Sequence, residues 1–119
     1  MAAQENFTQF DLNAEIARFP ADVPSGRRSE TLVKTPSLRV VLVTMRAGTE
    51  LHEHIAPGQI TIQPLHGRFM LIVEGAEHEI ATSALVSIAG DVRHAVRAID
   101  DGAFLLTIAW RAGERDGTP

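Results

Sequence analysis

Two histidines separated by one residue, His52 and His54, open the stretch Leu-His-Glu-His-Ile-Ala-Pro-Gly-Gln-Ile-Thr-Ile-Gln-Pro-Leu-His-Gly. The stretch turns at Pro57-Gly58 and enters a β-rich run at Ile60-Thr61-Ile62. In an extended strand alternate side chains share a face, so His52 and His54 are expected to point together, with Glu53 opposite. Two adjacent imidazoles can grip one divalent metal ion if a third ligand arrives from elsewhere. His94 lies about forty residues further on, at the start of another β-rich run, and an antiparallel barrel permits it a neighbouring position.

The scaffold for such a site is all-β. Runs rich in Val, Ile, Leu, Thr and Phe, bounded by Gly, Pro, Asp or Ser, predict strands at Glu30–Lys34, Leu38–Met45, Glu50–His54, Gln59–Leu65, Arg68–Val73, Glu77–Ala81, Ala84–Ile88, His94–Ala98 and Ala103–Trp110. Short strands with turns at near-regular intervals indicate a sandwich or barrel. Residues 1–29 read as an arm. Within it, Asp11 or Asn13 can cap a short helix that Pro20 ends, so that Phe10, Ile16 and Phe19 pack on the body. The polar tail 111–119 is expected to fray. The barrel is thus assigned to residues 30–110.

Composition bounds the function. The chain has 119 residues, 45% hydrophobic and 22% charged, which suits one globular domain. A net charge of −4 gives no electrostatic footprint for nucleic acid. There is no cysteine, which excludes disulfides, thiolate metal sites and cysteine nucleophiles. No stretch has the length of a membrane span and the N-terminus lacks a secretory pattern, so the expectation is a cytoplasmic protein. Neither a Walker-type phosphate loop nor a glycine-any-serine-any-glycine elbow occurs, and Asp100-Asp101-Gly102 reads as a hairpin turn.

The region from about Leu38 to Trp110 resembles the cupin family of small jelly-roll barrels, the double-stranded β-helix. Gly48, His52, His54 and Gly67 fit the family's first motif, and His94 fits the histidine of the second, after the turn Ala89-Gly90-Asp91. Three departures stand out. The motif's glutamate falls on Ile60, which cannot bind a metal; Gln59 is adjacent and serves only if a bulge rotates the strand by one residue. The turn has Ala89 for proline and Asp91 for glycine, and Asp tolerates the left-handed conformation. Ala98 replaces a frequent asparagine.

The resemblance implies a cupin-type barrel holding one divalent transition metal ion (Fe, Zn, Ni, Mn or Cu) on His52, His54 and His94, with Gln59 as a weak fourth ligand. It further implies a homodimer, with which the two-faced apolar runs Val40–Val43 and Phe69–Val73 agree. The arm of the same chain is an equal source of cover for those runs. The expected function is a metal-dependent oxygenase on a small chelating or carboxylated molecule. The alternative is a small-ligand-binding or regulatory module without catalysis. Among the remaining residues, His66 reads as an exposed turn residue and His78, between Glu77 and Glu79, as a surface histidine. Gln63 could line the cavity; Met70 and Phe104 are more safely core. Arg68 could hold a substrate carboxylate, though most arginines at such a position meet solvent.

Overall fold

The computed structural model describes residues 6–55 and 57–109, with the side chains of 53–55 outside the description. Trp110, the tail and residues 1–5 therefore lie outside the described residues. A short helix, α1 (Leu12–Arg18), precedes nine strands: β1 (Arg27–Lys34), β2 (Leu38–Met45), β3 (Glu50–Ile55), β4 (Ile60–His66), β5 (Phe69–Val73), β6 (Ala76–Ile80), β7 (Val86–Ile88), β8 (Arg93–Ala98) and β9 (Gly102–Ala109). All pairings are antiparallel.

The strands form two sheets, β1-β2-β9-β4-β7 and β3-β8-β5-β6, packed face to face as an all-β jelly roll. Their inner faces supply the core: Val41, Val43 and Met45 of β2, Ile60 and Ile62 of β4, Phe69 and Leu71 of β5, and Phe104 of β9 are all buried. Phe69 and Phe104 bridge the sheets at one end, edge to face with centroids 5.2 Å apart, the arrangement their quadrupoles favour. Among the described residues no helix is long and apolar enough to cross a membrane.

Two boundaries differ from the sequence reading by more than one residue, each for a local reason. β1 starts at Arg27 rather than Glu30, because as an edge strand it tolerates the charged pair Arg27-Arg28 while pairing with Met45 and Thr44. β7 shrinks to three residues because the chain turns first: Ala84 N–H donates to Ala81 O at 3.0 Å, and Ser83 adopts φ 85°. The turn before His94 does use Asp91 in the left-handed region, at φ 72°.

The arm lies on the outer face of the five-stranded sheet. Asp11 caps α1 by accepting from Ala14 N–H at 3.2 Å. Thr44 Oγ1 donates to Phe19 O at 2.8 Å, and the Arg28 guanidinium sits 5.3 Å from the Phe19 ring centroid. Ile16 and Phe19 are half-buried, whereas Phe10 stays exposed, bordering a surface groove with Leu65 and His66 of the barrel. These contacts show that the outer face of β2, where Leu42 and Thr44 are buried, is flanked by the arm of the same chain.

Candidate metal centre

Strand β3 delivers the histidine pair and β8 delivers His94. Leu51 pairs with Val96 and His54 with His94, so three steps along β3 match two along β8. This is a β-bulge, and strict alternation does not hold through it: the strand gains a residue between Leu51 and His54, and His52 is exposed. His54 takes the register position directly opposite His94, on the row that carries Val73 of β5 on the other side.

His94 is buried, with 2% of its surface exposed. Its Nδ1 lies 3.1 Å from Val92 O. A carbonyl only accepts, so Nδ1 carries the proton and the lone pair of the neutral ring belongs to Nε2. Metal-ligating histidines are oriented by just such an outer hydrogen bond. The bulge, the register and this tautomer together suit an imidazole donor set for a transition ion rather than for magnesium or calcium. Among the described residues no three His, Asp or Glu side chains converge on one point; the His54 side chain is not one of them.

The carboxylate position of the motif is closed. Ile60 is 1% exposed and faces the core, and the register runs unbroken from Ile60 to Pro64 opposite β9. The strand's irregularity falls instead between Pro64 and His66, so no bulge rotates Gln59 inward. Gln59 is exposed and its Nε2 donates to Ser87 Oγ at 2.8 Å.

The other candidates resolve into structural roles. His66 is an exposed turn residue whose Nε2 lies 3.2 Å from Asn13 Oδ1, tying the barrel to α1. Arg68 does not await a substrate carboxylate: its Nε and Nη2 donate to Asp100 at 2.9 and 3.0 Å, and Nη1 lies 3.6 Å from Glu79. That bonding holds the Asp100 carboxyl below its ordinary range and raises the proton affinity of Arg68. Phe104 is core, but Met70 is half-buried on the outer face, opposite Arg97 and Glu79. Gln63 is exposed between buried Ile62 and Pro64 and lines no interior surface.

His78 departs from the surface reading. It is exposed, yet it pairs with Leu71 and so takes the inward face of β6, alternating with Glu77 and Glu79. It borders a cavity of about 490 Å³ with Leu71, Val73, Ile80, Ile88 and Val92. Alternation over five residues predicts two faces but not which one is inward. Only the pairing of Ile80 with Phe69 sets that.

No family model matches the sequence, and no curated protein matches it. Solved structures do match. The conserved SPY1581 protein of unknown function from Streptococcus pyogenes is similar with a TM-score of 0.75 at 19% identity, covering 92% of this chain and 93% of that one. An RmlC-like cupin family protein with a double-stranded β-helix fold from Methanocaldococcus jannaschii gives 0.70 at 17% identity, covering 83% and 93%. Salicylate 1,2-dioxygenase from Pseudoaminobacter salicylatoxidans, in its adducts with gentisate, gives 0.67 at 20% identity, over 82% of this chain and 29% of that one. The fold is that of the cupins, a double-stranded β-helix. This chain builds that fold as a single small barrel, with a short helical arm on one outer face.

Proposed function

We propose that this cupin holds one divalent transition metal ion on His52, His54 and His94 and acts as an oxygenase on a small chelating or carboxylated molecule. The observation that carries the reading is the cross-strand pairing of His54 with His94, a buried imidazole whose Nδ1 is already directed onto Val92 O. Bulges recur beside active sites because they re-aim a side chain, and in this reading the bulge in β3 serves to turn His52 toward the ion as third donor. When bound, an ion on neutral imidazoles keeps its full charge and open positions, which supply Lewis-acid polarisation and favour an anionic ligand. The chain's own contribution is to fix the His94 tautomer, to wall the interior with Ile60 and Val96, and to exclude water there. Iron, zinc, nickel, manganese and copper all accept imidazole, with Gln59 outside the ligand set. The likeness to a salicylate dioxygenase supports the oxygenase assignment. A homodimer through the outer face of the four-stranded sheet, where Met70 and Ile72 are half-buried, is part of the same reading.

A second reading, a ligand-binding module without catalysis, draws on the apolar cavity beside His78. Elemental analysis of purified protein decides first: near-stoichiometric metal in the parent chain, lost in His54→Ala and in His94→Ala, is the expected result. Metal retained in both variants, or absent from the parent after reconstitution with each of the five ions, overturns the site. Oxygen uptake with small hydroxyacids and diketones then separates the oxygenase from the binding module.

A further inference from the structure

The face that the arm turns to the sheet carries an acid in an otherwise apolar stripe. Leu12, Glu15, Ile16 and Phe19 recur at helical spacing and are half-buried, while Asn13, Ala14, Ala17 and Arg18 are exposed. The side chain of Glu15 keeps only 13% of its surface exposed.

The strand beneath presents a second acid at the same place. Leu42 and Thr44, buried on the outer face of β2, pair with Glu30 and Arg28 of β1, which therefore stand on that face beside them. Phe19 ends the helix over Thr44 and Arg28, held by the Thr44 hydroxyl and the Arg28 guanidinium. Glu15 lies one turn back from Phe19 along α1, and Glu30 lies two residues on from Arg28 along β1. The two carboxyls meet there, with Glu30 Oε1 shielded from solvent and without a hydrogen-bond donor among the described residues.

Few charges surround the pair. From α1 come Glu15 itself and Arg18, whose Nη2 donates to Glu15 Oε1 at 2.6 Å; from β1 comes Arg28, over the Phe19 ring. β2 contributes Leu42 and Thr44, which do not titrate. Two half-buried carboxylates repel, whereas one proton between them makes a hydrogen bond. Burial first, and Glu15 second, raise the proton affinity of Glu30, against a partial opposing pull from Arg18 and Arg28. The tie from His66 Nε2 to Asn13 Oδ1 needs a proton on Nε2, which a ring donating there carries in both its neutral and its charged form.

We propose that Glu15 and Glu30 form a proton-operated clasp, closed by a shared proton in acid and loosened by repulsion toward neutral pH, that sets how firmly the arm covers the outer face of β2. Its contribution is complete below the ordinary carboxyl value of 4.5 and is lost as pH rises through the higher folded one. The clasp sits on the five-stranded sheet, away from the histidines of β3 and β8, and does not rest on the metal reading.

Hydrogen exchange of the full chain, corrected for the intrinsic pH dependence of exchange, reads the clasp. The α1 amides of Glu15 and Phe19 are expected to open at least about twofold more at neutral pH than in acid, the scale of a like-charge pair at a surface, while amides of the Phe69–Phe104 core do not follow. In Glu30→Gln that dependence is lost, and the arm stays as closed at neutral pH as in acid. In Glu15→Gln it is reduced, because burial of Glu30 persists without the second charge. Glu77→Gln, on β6 of the other sheet, keeps the dependence of the parent chain. The clasp is overturned if α1 opening is flat with pH in the parent, if Glu30→Gln keeps the dependence, if Glu77→Gln loses it, or if arm and core amides change together. Should Glu30→Gln not fold, Glu15→Gln decides, and an undiminished dependence there rejects the clasp.

Discussion

His54 and His94 stand opposite each other in the β3–β8 ladder, although about forty residues separate them in the chain. A ligand that bridges this pair binds only the folded protein, so its affinity adds to stability. Zinc at about a hundredfold above its dissociation constant contributes about 2.7 kcal/mol. For a domain of this size that raises the melting temperature by roughly 10 °C. Scanning calorimetry with zinc and with chelator measures the difference, and His94→Ala is expected to abolish it. The same variant costs about 1–3 kcal/mol in chelator, because the Val92 carbonyl loses its buried donor.

Two carboxyls move stability with pH in opposite directions. Asp100 is held below its ordinary value of 3.8 by the Arg68 guanidinium, so its contribution is present above that value and lost as pH falls through the lower folded one. Asp100→Asn is expected to flatten the acid side of a stability–pH profile, with an effect at neutral pH that shrinks in salt.

Glu30 behaves inversely. Burial first, and the Glu15 carboxylate second, raise it above its ordinary 4.5, and its Oε1 is shielded from solvent without a hydrogen-bond partner among the described residues. Its favourable contribution is complete below that ordinary value and is lost as pH rises through the folded value. Glu30→Gln should therefore stabilise the protein modestly at neutral pH, with solvent screening holding the effect down, and leave it unchanged in acid. Thermal melts across the pH range read both effects.

The architecture was legible where punctuation was strong. Thr35-Pro36-Ser37 and Ala47-Gly48 bracket β2 at the expected residues, and Asp91 takes the left-handed turn expected of it. What escaped depends on partners remote in the chain. The bulge at residues 51–54 exists only because β3 must match β8, and the inward face of His78 is set by the β5 register. Arg68 looks poised for a ligand until Asp100, 32 residues away, takes its Nε and Nη2 and Glu79 faces its Nη1. Gln59 stays exposed for the complementary reason: the irregularity of β4 lies at its far end.

Two motif glycines differ in why they are needed. Gly67 has φ +78°, and a Cβ there would come within 2.5 Å of Asp101 O and 3.0 Å of the Gly102 Cα. Backbone cannot step aside cheaply, so Gly67→Ala is expected to cost about 3 kcal/mol or more. Gly48 has φ +87° but nothing within 4 Å of such an atom. Gly48→Ala then carries only the left-handed penalty of about 1–2 kcal/mol. Urea titrations that shift the midpoint at constant slope give the two values directly.

The arm should be separable from the barrel by one isosteric change. Thr44 is buried, and its hydroxyl donates to the carbonyl of Phe19, the residue that closes α1. Thr44→Val keeps the volume and removes the donor, a loss of about 1 kcal/mol. The remaining ties, His66 to Asn13 and Arg28 over Phe19, lie at the surface and cannot replace a buried bond in full. Hydrogen exchange over residues 12–19 is expected to quicken about fivefold, while amides of the Phe69–Phe104 core keep their protection. Equal loosening of arm and core would mean that α1 folds as one unit with the sheets, and that the barrel depends on its arm.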